Sequence, residues 1–409
     1  MQNEGIMKAR VAERAIFGIS SNIVLLGVVS FFTDISTELI MAALPTFLVL
    51  RLGASPEVIG SIEGIAESMT SFLKLVSGAI ADKIGKRKRL TVIGYTLSNI
   101  TKPIMGFATS WSDVLILRIG DRIGKGLRTS PRDAMIADSS DSRIGRSFGV
   151  HRTLDQMGAI VGPVLAFLLI APLGYGGIFL FTVIPGTIAI AILVLLVQEP
   201  PRKSALKKAT IKNAHAVMNR GFSIYIASAS LYSAAAISYA FILLRAMEVG
   251  IPSEYTILVY AAIQVFHVIS GIPAGEISDR LGRVRAIQLG YFFLLASFAI
   301  IAISSEVWLF LLGVILFGIH QGTVETSQRA VIPSLVNEGH TGTAYGVYNM
   351  AVGAVTLPTN IVAGLMYSNF GSGYAFLYGA VLALAASLAL AETQRSLARR
   401  RQQNGLPSA

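Results

Sequence analysis

The chain has 409 residues, of which 53% are hydrophobic and only 14% charged, with a formal net charge of +11 and no cysteine. So little charge does not cover the surface of an aqueous globular domain of this length, which counts against the soluble classes, and the missing thiols exclude disulfides, thiolate metal sites and cysteine nucleophiles. The basic excess lies in short runs between long apolar segments, a placement that suits an anionic membrane surface and not nucleic acid.

Residues 1–21 carry Lys8, Arg10 and Arg14 and lead into an apolar stretch of full membrane length without a small-residue cleavage site. This reads as an uncleaved first helix behind a cytoplasmic N-terminal segment. A membrane span of roughly 30 Å takes about 20 apolar residues at about 1.5 Å each. Twelve such stretches follow, at 22–50, 57–81, 89–109, 113–136, 147–171, 176–198, 221–246, 254–276, 285–303, 306–331, 343–367 and 373–392. Pro45, Pro103, Pro131, Pro163, Pro185 and Pro358 interrupt several of them, as membrane helices tolerate when neighbours satisfy the freed backbone groups.

The connections alternate in charge. Lys83, Lys86, Arg87, Lys88 and Arg89 follow span two, and Arg143 and Arg146 follow span four. Six Lys or Arg residues from Arg202 to Arg220 follow span six, Arg280, Arg283 and Arg285 follow span eight, and Arg395, Arg399, Arg400 and Arg401 follow span twelve. Connections of the other parity, such as Pro172 to Gly176, are nearly free of cations. The positive-inside rule then places both termini in the cytoplasm of a multi-pass cell-membrane protein. The expected organisation is a six-helix bundle over 22–198, a cytoplasmic linker over 199–220, a second six-helix bundle over 221–392 and a cytoplasmic tail over 393–409.

A repeated pattern supports the two halves. Gly78, Asp82, Lys83, Gly85, Lys86 and Arg87 after span two recur as Gly275, Asp279, Arg280, Gly282 and Arg283 after span eight, with Asp82 and Asp279 separated by 197 residues. The same offset relates Ser130 and Arg132 to Ser327 and Arg329, and Phe148 and Gly149 to Tyr345 and Gly346. Three separate matches at one spacing argue for a duplicated six-helix unit.

The loop pattern Gly-x-x-x-Asp-(Arg/Lys)-x-Gly-(Arg/Lys)-(Arg/Lys) resembles the signature of the major facilitator superfamily, with its weaker echo in the second half. Gly158, Gly162 and Pro163 in span five resemble the antiporter motif of prokaryotic drug/proton exporters, although Ala166 and Phe167 replace the glycines at its end. Arg122 and Gly126 have the spacing of another motif of the family, with Lys125 where a neutral polar residue is usual. The resemblance implies an all-α fold of twelve transmembrane helices in two pseudo-symmetric bundles and transport by alternating access. It also implies a conformational latch formed by the two basic loops, joined by Arg128, Arg132 and Arg329 near the cytoplasmic ends of their spans. Apart from any family, Asp82 beside Lys83, Lys86 and Arg87 can pair with cations or cap a helix, and the flanking glycines permit a tight turn.

Ionisable residues within the spans mark the expected transport path, because a charge at mid-bilayer costs roughly 2.5 to 3.5 kcal/mol on insertion scales and so faces a cavity or a partner. Asp34 and Glu38 share one face of span one, and Glu63 and Glu67 share one face of span two with Lys74 beyond. Like charges at this spacing make Asp34, Glu38 and Glu67 candidate proton carriers or cation ligands. Span four carries Arg118, Asp121, Arg122, Lys125, Arg128, Arg132 and Asp133. Its cations are expected to pair with Asp34, Glu38, Glu67 or Asp155, or to hold an anionic solute, with Arg122 best placed for coupling. His151 and Asp155, one turn apart, suit a proton relay, against the ordinary reading of His151 as a hydrogen-bonded structural residue. Glu325 is the expected partner from the second half, and His267 reads as isolated and structural. Tyr225, Tyr232, Tyr239, Tyr260, Tyr345 and Tyr348 either wall a site for an organic solute or pack helices.

The reading that follows is a monomeric secondary transporter, coupled to protons, that exports a small organic solute. Its alternatives are a divalent metal ion or an organic anion on the same fold. No nucleotide-binding, HExxH or Gly-x-Ser-x-Gly pattern is present, so no enzyme, cofactor or resident metal is expected.

Overall fold

The computed structural model describes residues 15–16, 19–84, 86–140, 144–200, 217–328, 331–336 and 341–403. Apart from a two-residue antiparallel ladder pairing Ala15–Ile16 with Ile19–Ser20, the described chain is helical. The long elements are α1 (Ser21–Leu50), α2 (Pro56–Ile84), α3 (Arg87–Ile104), α4 (Trp111–Ser139), α5 (Ile144–Phe181) and α6 (Val183–Leu195). After the linker come α7 (Arg220–Ala235), α8 (Tyr239–Glu248), α9 (Thr256–Leu281), α10 (Arg283–Ile303) and α11 (Val307–Gln328). The short α12 (Ile332–Leu335) leads to α13 (Thr341–Phe370) and α14 (Ser372–Gln403). Each of the twelve expected spans coincides with one of these helices or with an adjoining pair.

Two boundaries differ from the expected ones for local reasons. Span five and the start of span six run on as the single element α5, interrupted at Gly174, whose φ of 64° and ψ of −178° lie outside any helix and need a residue without a Cβ, and the rest of span six is α6. Span seven is broken between α7 and α8, although no Gly or Pro marks the place. There Asn360 of α13 accepts the Ser238 backbone N–H at 2.9 Å, and Ser238 caps α8 by accepting from Ala240 N at 3.2 Å. A break in a membrane helix survives where neighbouring side chains satisfy the freed amides.

Among the described residues seven helices, or eight counting the bent pair Thr256–Gly271 and Pro273–Leu281, are long and apolar enough to cross a membrane. The runs Arg146–Leu195 and Arg220–Glu248 each count once there. The helices left out are α2, α3 and α4, and charge explains it: α3 and α4 bury Lys102, Arg118, Asp121, Arg122 and Arg128.

By its contacts the chain falls into two compact units. The first comprises Met1–Met41, Leu73–Ala108 and Ser112–Lys207; the second comprises Ala42–Phe72, Thr109–Trp111 and Lys208–Ala409. In the first, Leu26 and Val29 of α1 pack with Tyr95 of α3, Met135 and Ile136 of α4, and Ala189 and Leu193 of α6. In the second, α10 packs on α11 and α14, α9 on α11, and α7 on α13 and α14. The start of α2 lies in the second unit against α13, where a Cβ at Gly64 would stand 3.0 Å from the Leu357 carbonyl and Ser68 donates to the Gly353 carbonyl at 2.8 Å.

Candidate functional site

In the first unit the ionisable residues assemble around α1. Thr33 and Thr37 return their hydroxyls to the carbonyls of Val29 and Thr33, at 2.8 and 3.0 Å, which commits those hydroxyl protons to the helix. Asp34 faces α5, where its carboxyl comes within hydrogen-bond reach of the carboxyl of Asp155, with Glu38 and Lys125 close by. Helix α5 comes this near because it presents glycine at the contact. A Cβ on Gly158 would stand 3.0 Å from the Asp34 Cβ, and one on Gly162 would stand 2.7 Å from the Glu38 Cβ. The Gly-x-x-x-Gly stretch is thus the surface by which α5 meets the two carboxylates of α1, a close packing of small residues.

Asp155 also receives Arg152 Nη1 at 2.8 Å, one turn away on its own helix. His151 Nε2 lies 2.9 Å from Ser30 Oγ, and the same hydroxyl receives Arg132 Nη1 at 3.3 Å. His151, Ser30 and Arg132 therefore form one chain beside the carboxyl pair, and Arg132 is further held by Asp133 at 2.9 Å.

A second cluster joins α3 and α4. Asp121 accepts from Ser98 Oγ and lies 3.6 Å from Arg118 Nη1 and 3.5 Å from Arg122 Nε. Lys102 reaches across from α3 to donate to Thr37 Oγ1 at 2.7 Å and Ser36 Oγ at 3.4 Å on α1, with the charges of Asp121 and Asp34 acting on it. Arg122 Nη2 touches Met41 Sδ at 3.5 Å. Arg118 and Arg122 thus both stand at ion-pair distance from Asp121 of their own helix, a partner beside the acids of α1, α2 and α5 to which the sequence pointed. Arg128 places its guanidinium 4.5 Å above the ring of Tyr95, a cation–π contact that serves a buried cation lying against α3. Lys102 escaped the sequence reading although it lies inside span three; a lysine within an otherwise apolar span was the available signal.

The expected latch residues are only partly within the described structure. Gly85 and Arg329 lie outside the described residues, as do the side chains of Asp82 and Lys83; Gly78 is seen only as backbone of α2. Lys86 is exposed at the start of α3. Arg87 is buried and ion-paired with Asp138, while Glu199 accepts the backbone N–H groups of Arg87 and Lys88 at 2.6 and 3.1 Å, placing an anion on the positive end of α3. In the second half Gly282, with φ of 90°, turns α9 into α10. Asp279, Arg280 and Arg283 are exposed there, and Arg280 stands 4.0 Å from Glu276.

In the second unit Glu67 is exposed and Glu63 buried, both on α2. His267, read from sequence as isolated, is not: its Nε2 lies 2.8 Å from Glu325 Oε2, joining α9 to α11. Spacing along one chain could not show this pair, because its members lie on different helices. Together with Tyr232, Gln321, Val324, Gln328 and Tyr348 they line a cleft of 220 Å³. Tyr232 stacks on Tyr291 at 4.6 Å between ring centres, and the edge of His320 approaches Tyr232 at 5.7 Å. Of the tyrosines noted in the sequence, Tyr232 and Tyr348 line the cleft, while Tyr225 is buried behind it, donating to the Gln328 carbonyl.

The helical architecture agrees with the comparison to known proteins. The model of the Major Facilitator Superfamily matches residues 26–353, and again 222–407. The chain belongs to this superfamily. An uncharacterized MFS-type transporter of Methanocaldococcus jannaschii, MJ1317, is 32% identical over 384 residues, which cover 91% of this chain and 94% of MJ1317. The methyl viologen resistance protein SmvA of Salmonella typhimurium is 26% identical over 186 residues, 45% of this chain and 37% of SmvA. The crystal structure of the nucleoside transporter NupG has the same fold, with a TM-score of 0.76 at 16% identity over 91% of this chain and 99% of NupG. This MFS protein is accordingly a multi-pass membrane protein with a transporter fold, and the carboxyl pair and the cleft are the places where transport chemistry can be sought.

Proposed function

We propose that this MFS protein is a proton-coupled exporter of a small organic solute, working as a monomer by alternating access in the cell membrane, with both termini in the cytoplasm. The observation that carries the proposal is the close approach of the Asp34 and Asp155 carboxyl groups, within hydrogen-bond reach of one another. A carboxylate only accepts, so two carboxyl groups bond to each other only while one holds a proton. Release of that proton leaves two like charges at contact, and Glu38 adds a third nearby. Helices α1 and α5 must then part, or Lys125 and Arg152 must move to compensate, so proton release is tied to a rearrangement of the bundle. Lys102 links the same α1 surface to Asp121, which extends the effect to α3 and α4.

Export is supported by the likeness to a methyl viologen resistance protein, and a small-molecule site by the cleft of the second unit. Among the described residues no three His, Asp or Glu side chains come together as a metal site, which gives the divalent-metal alternative no ligand set there. The test uses proteoliposomes under an imposed pH gradient, loaded with a solute chosen by thermal stabilisation from drugs, sugars, organic anions and metal ions. Asp34→Asn is expected to abolish gradient-driven movement while leaving exchange without a gradient. Gradient-driven transport unchanged in Asp34→Asn would reject the carboxyl pair as the coupling device.

A further inference from the structure

The cleft of the second unit has a chemistry opposite to that of the charged cluster around Asp121. Among the described residues that line it, only His267 and Glu325 carry ionisable groups other than phenols, and none is a Lys or Arg. The side chain of Glu325 keeps 50% of its surface, whereas His267 keeps 14%. The imidazole is thus the anchored member of the pair and the carboxylate the open one. With Nε2 protonated, a neutral His267 donates to Oε2 and fixes the carboxylate while leaving its charge in place. Tyr232 and Tyr348 line the same cleft, together with the amide side chains Gln321 and Gln328.

We propose that this cleft binds the positively charged nitrogen end of an organic cation, with Glu325 as the counter-ion and the rings of Tyr232 and Tyr348 against the charged nitrogen and its apolar body. A carboxylate beside tyrosine faces is the arrangement that attracts a cation both by charge and by the ring quadrupole. Tyr232 is held for this task by its stack on Tyr291 and the edge of His320, so its ring is already in place before a ligand arrives. At 220 Å³ the cleft is smaller than the roughly 300 to 1,000 Å³ usual for drug-sized ligands, so it takes the charged end of the solute and one adjoining ring, not a large molecule whole. The inference deepens the exporter reading by naming its substrate class, and it rests on that reading only for the direction of movement.

Equilibrium binding of ethidium to the purified full-length protein, without any gradient, tests it, followed by fluorescence and with thermal melts to verify folding. Wild type is expected to bind ethidium, Glu325→Gln to weaken it at least roughly tenfold, and Glu325→Asp to restore part of the loss. Tyr232→Leu is expected to weaken binding severalfold and Tyr232→Phe to leave it nearly intact, since the ring and not the hydroxyl makes the contact. Methyl viologen should displace ethidium, and the anion citrate and the neutral nucleoside uridine should not. Wild-type affinity in a folded Glu325→Gln, displacement by citrate, or no ethidium binding to the wild type would each overturn the assignment. Glu325-dependent binding in a protein that shows no gradient-driven transport would leave the cleft standing and remove the exporter reading. The reverse pattern, coupled transport with binding indifferent to Glu325, would do the opposite.

Discussion

Asp121 stands among three buried cations of the first unit. It stands 3.6 Å from Arg118 and 3.5 Å from Arg122 and helps to hold Lys102, all of them buried. Taking such groups out of water is tolerable only while the opposite charge is present, and removing one partner of a buried pair typically costs about 3 to 5 kcal/mol. Asp121→Asn is therefore expected to destabilise the protein by about that amount, seen as a large fall in melting temperature in detergent. Lys102→Met should cost clearly less, because it gives up hydrogen bonds to Thr37 and Ser36 but also removes a buried, desolvated cation. Equal losses in the two variants would show that the cluster is not organised around Asp121. At this scale the sequence was legible where partners share a helix face, as Asp34 with Glu38 do. It was silent where they meet across helices, as Lys102 with Thr37 and His267 with Glu325 do, because a single chain without repeats of these contacts carries no record of which helices become neighbours.

Between α1 and α5 the separation is set by two missing side chains. The Gly158 and Gly162 positions face Asp34 and Glu38 so closely that an added methyl meets backbone and Cβ atoms, which cannot swing aside as a long side chain could. Gly162→Ala is expected to cost about 1 to 3 kcal/mol of stability as the helices are pushed apart. The same displacement should draw the Asp34 and Asp155 carboxyl groups apart, so pH-gradient-driven transport in proteoliposomes should fall more steeply than solute binding does. A variant that loses stability but keeps full coupling would mean that the glycines serve packing alone. The spacing Gly158, Gly162, Pro163 was readable as a motif, yet its partner helix was not. Conversely, the interruption between α7 and α8 left no mark in local sequence, since the residue that makes it tolerable, Asn360, lies on α13. Breaks at Gly174 and Gly282 were more visible, because a positive φ selects glycine.

For the whole chain, hydropathy and the alternation of basic loops located all twelve helical stretches, while the division into units by contacts has a feature that neither could give: Ala42–Phe72 keeps company with the second unit. That membership depends on small residues at the meeting of α2 and α13, such as Gly64 and Gly353, which hydropathy cannot distinguish from any other glycine. Orientation, by contrast, is a matter of charge counted over loops, and the duplicated basic motif makes a strict demand on it. If the two halves are copies of one six-helix unit joined by a cytoplasmic linker, the turn at Lys86 and the turn at Arg283 must lie on the same side of the membrane, and the bend at Leu173 on the other. The absence of native cysteine makes this directly measurable. Lys86→Cys and Arg283→Cys, each exposed at the start of its helix, should react with a membrane-impermeant maleimide only when the cytoplasmic face is opened, and Leu173→Cys should react in intact cells. Labelling of Lys86→Cys and Arg283→Cys from opposite faces would break the duplication.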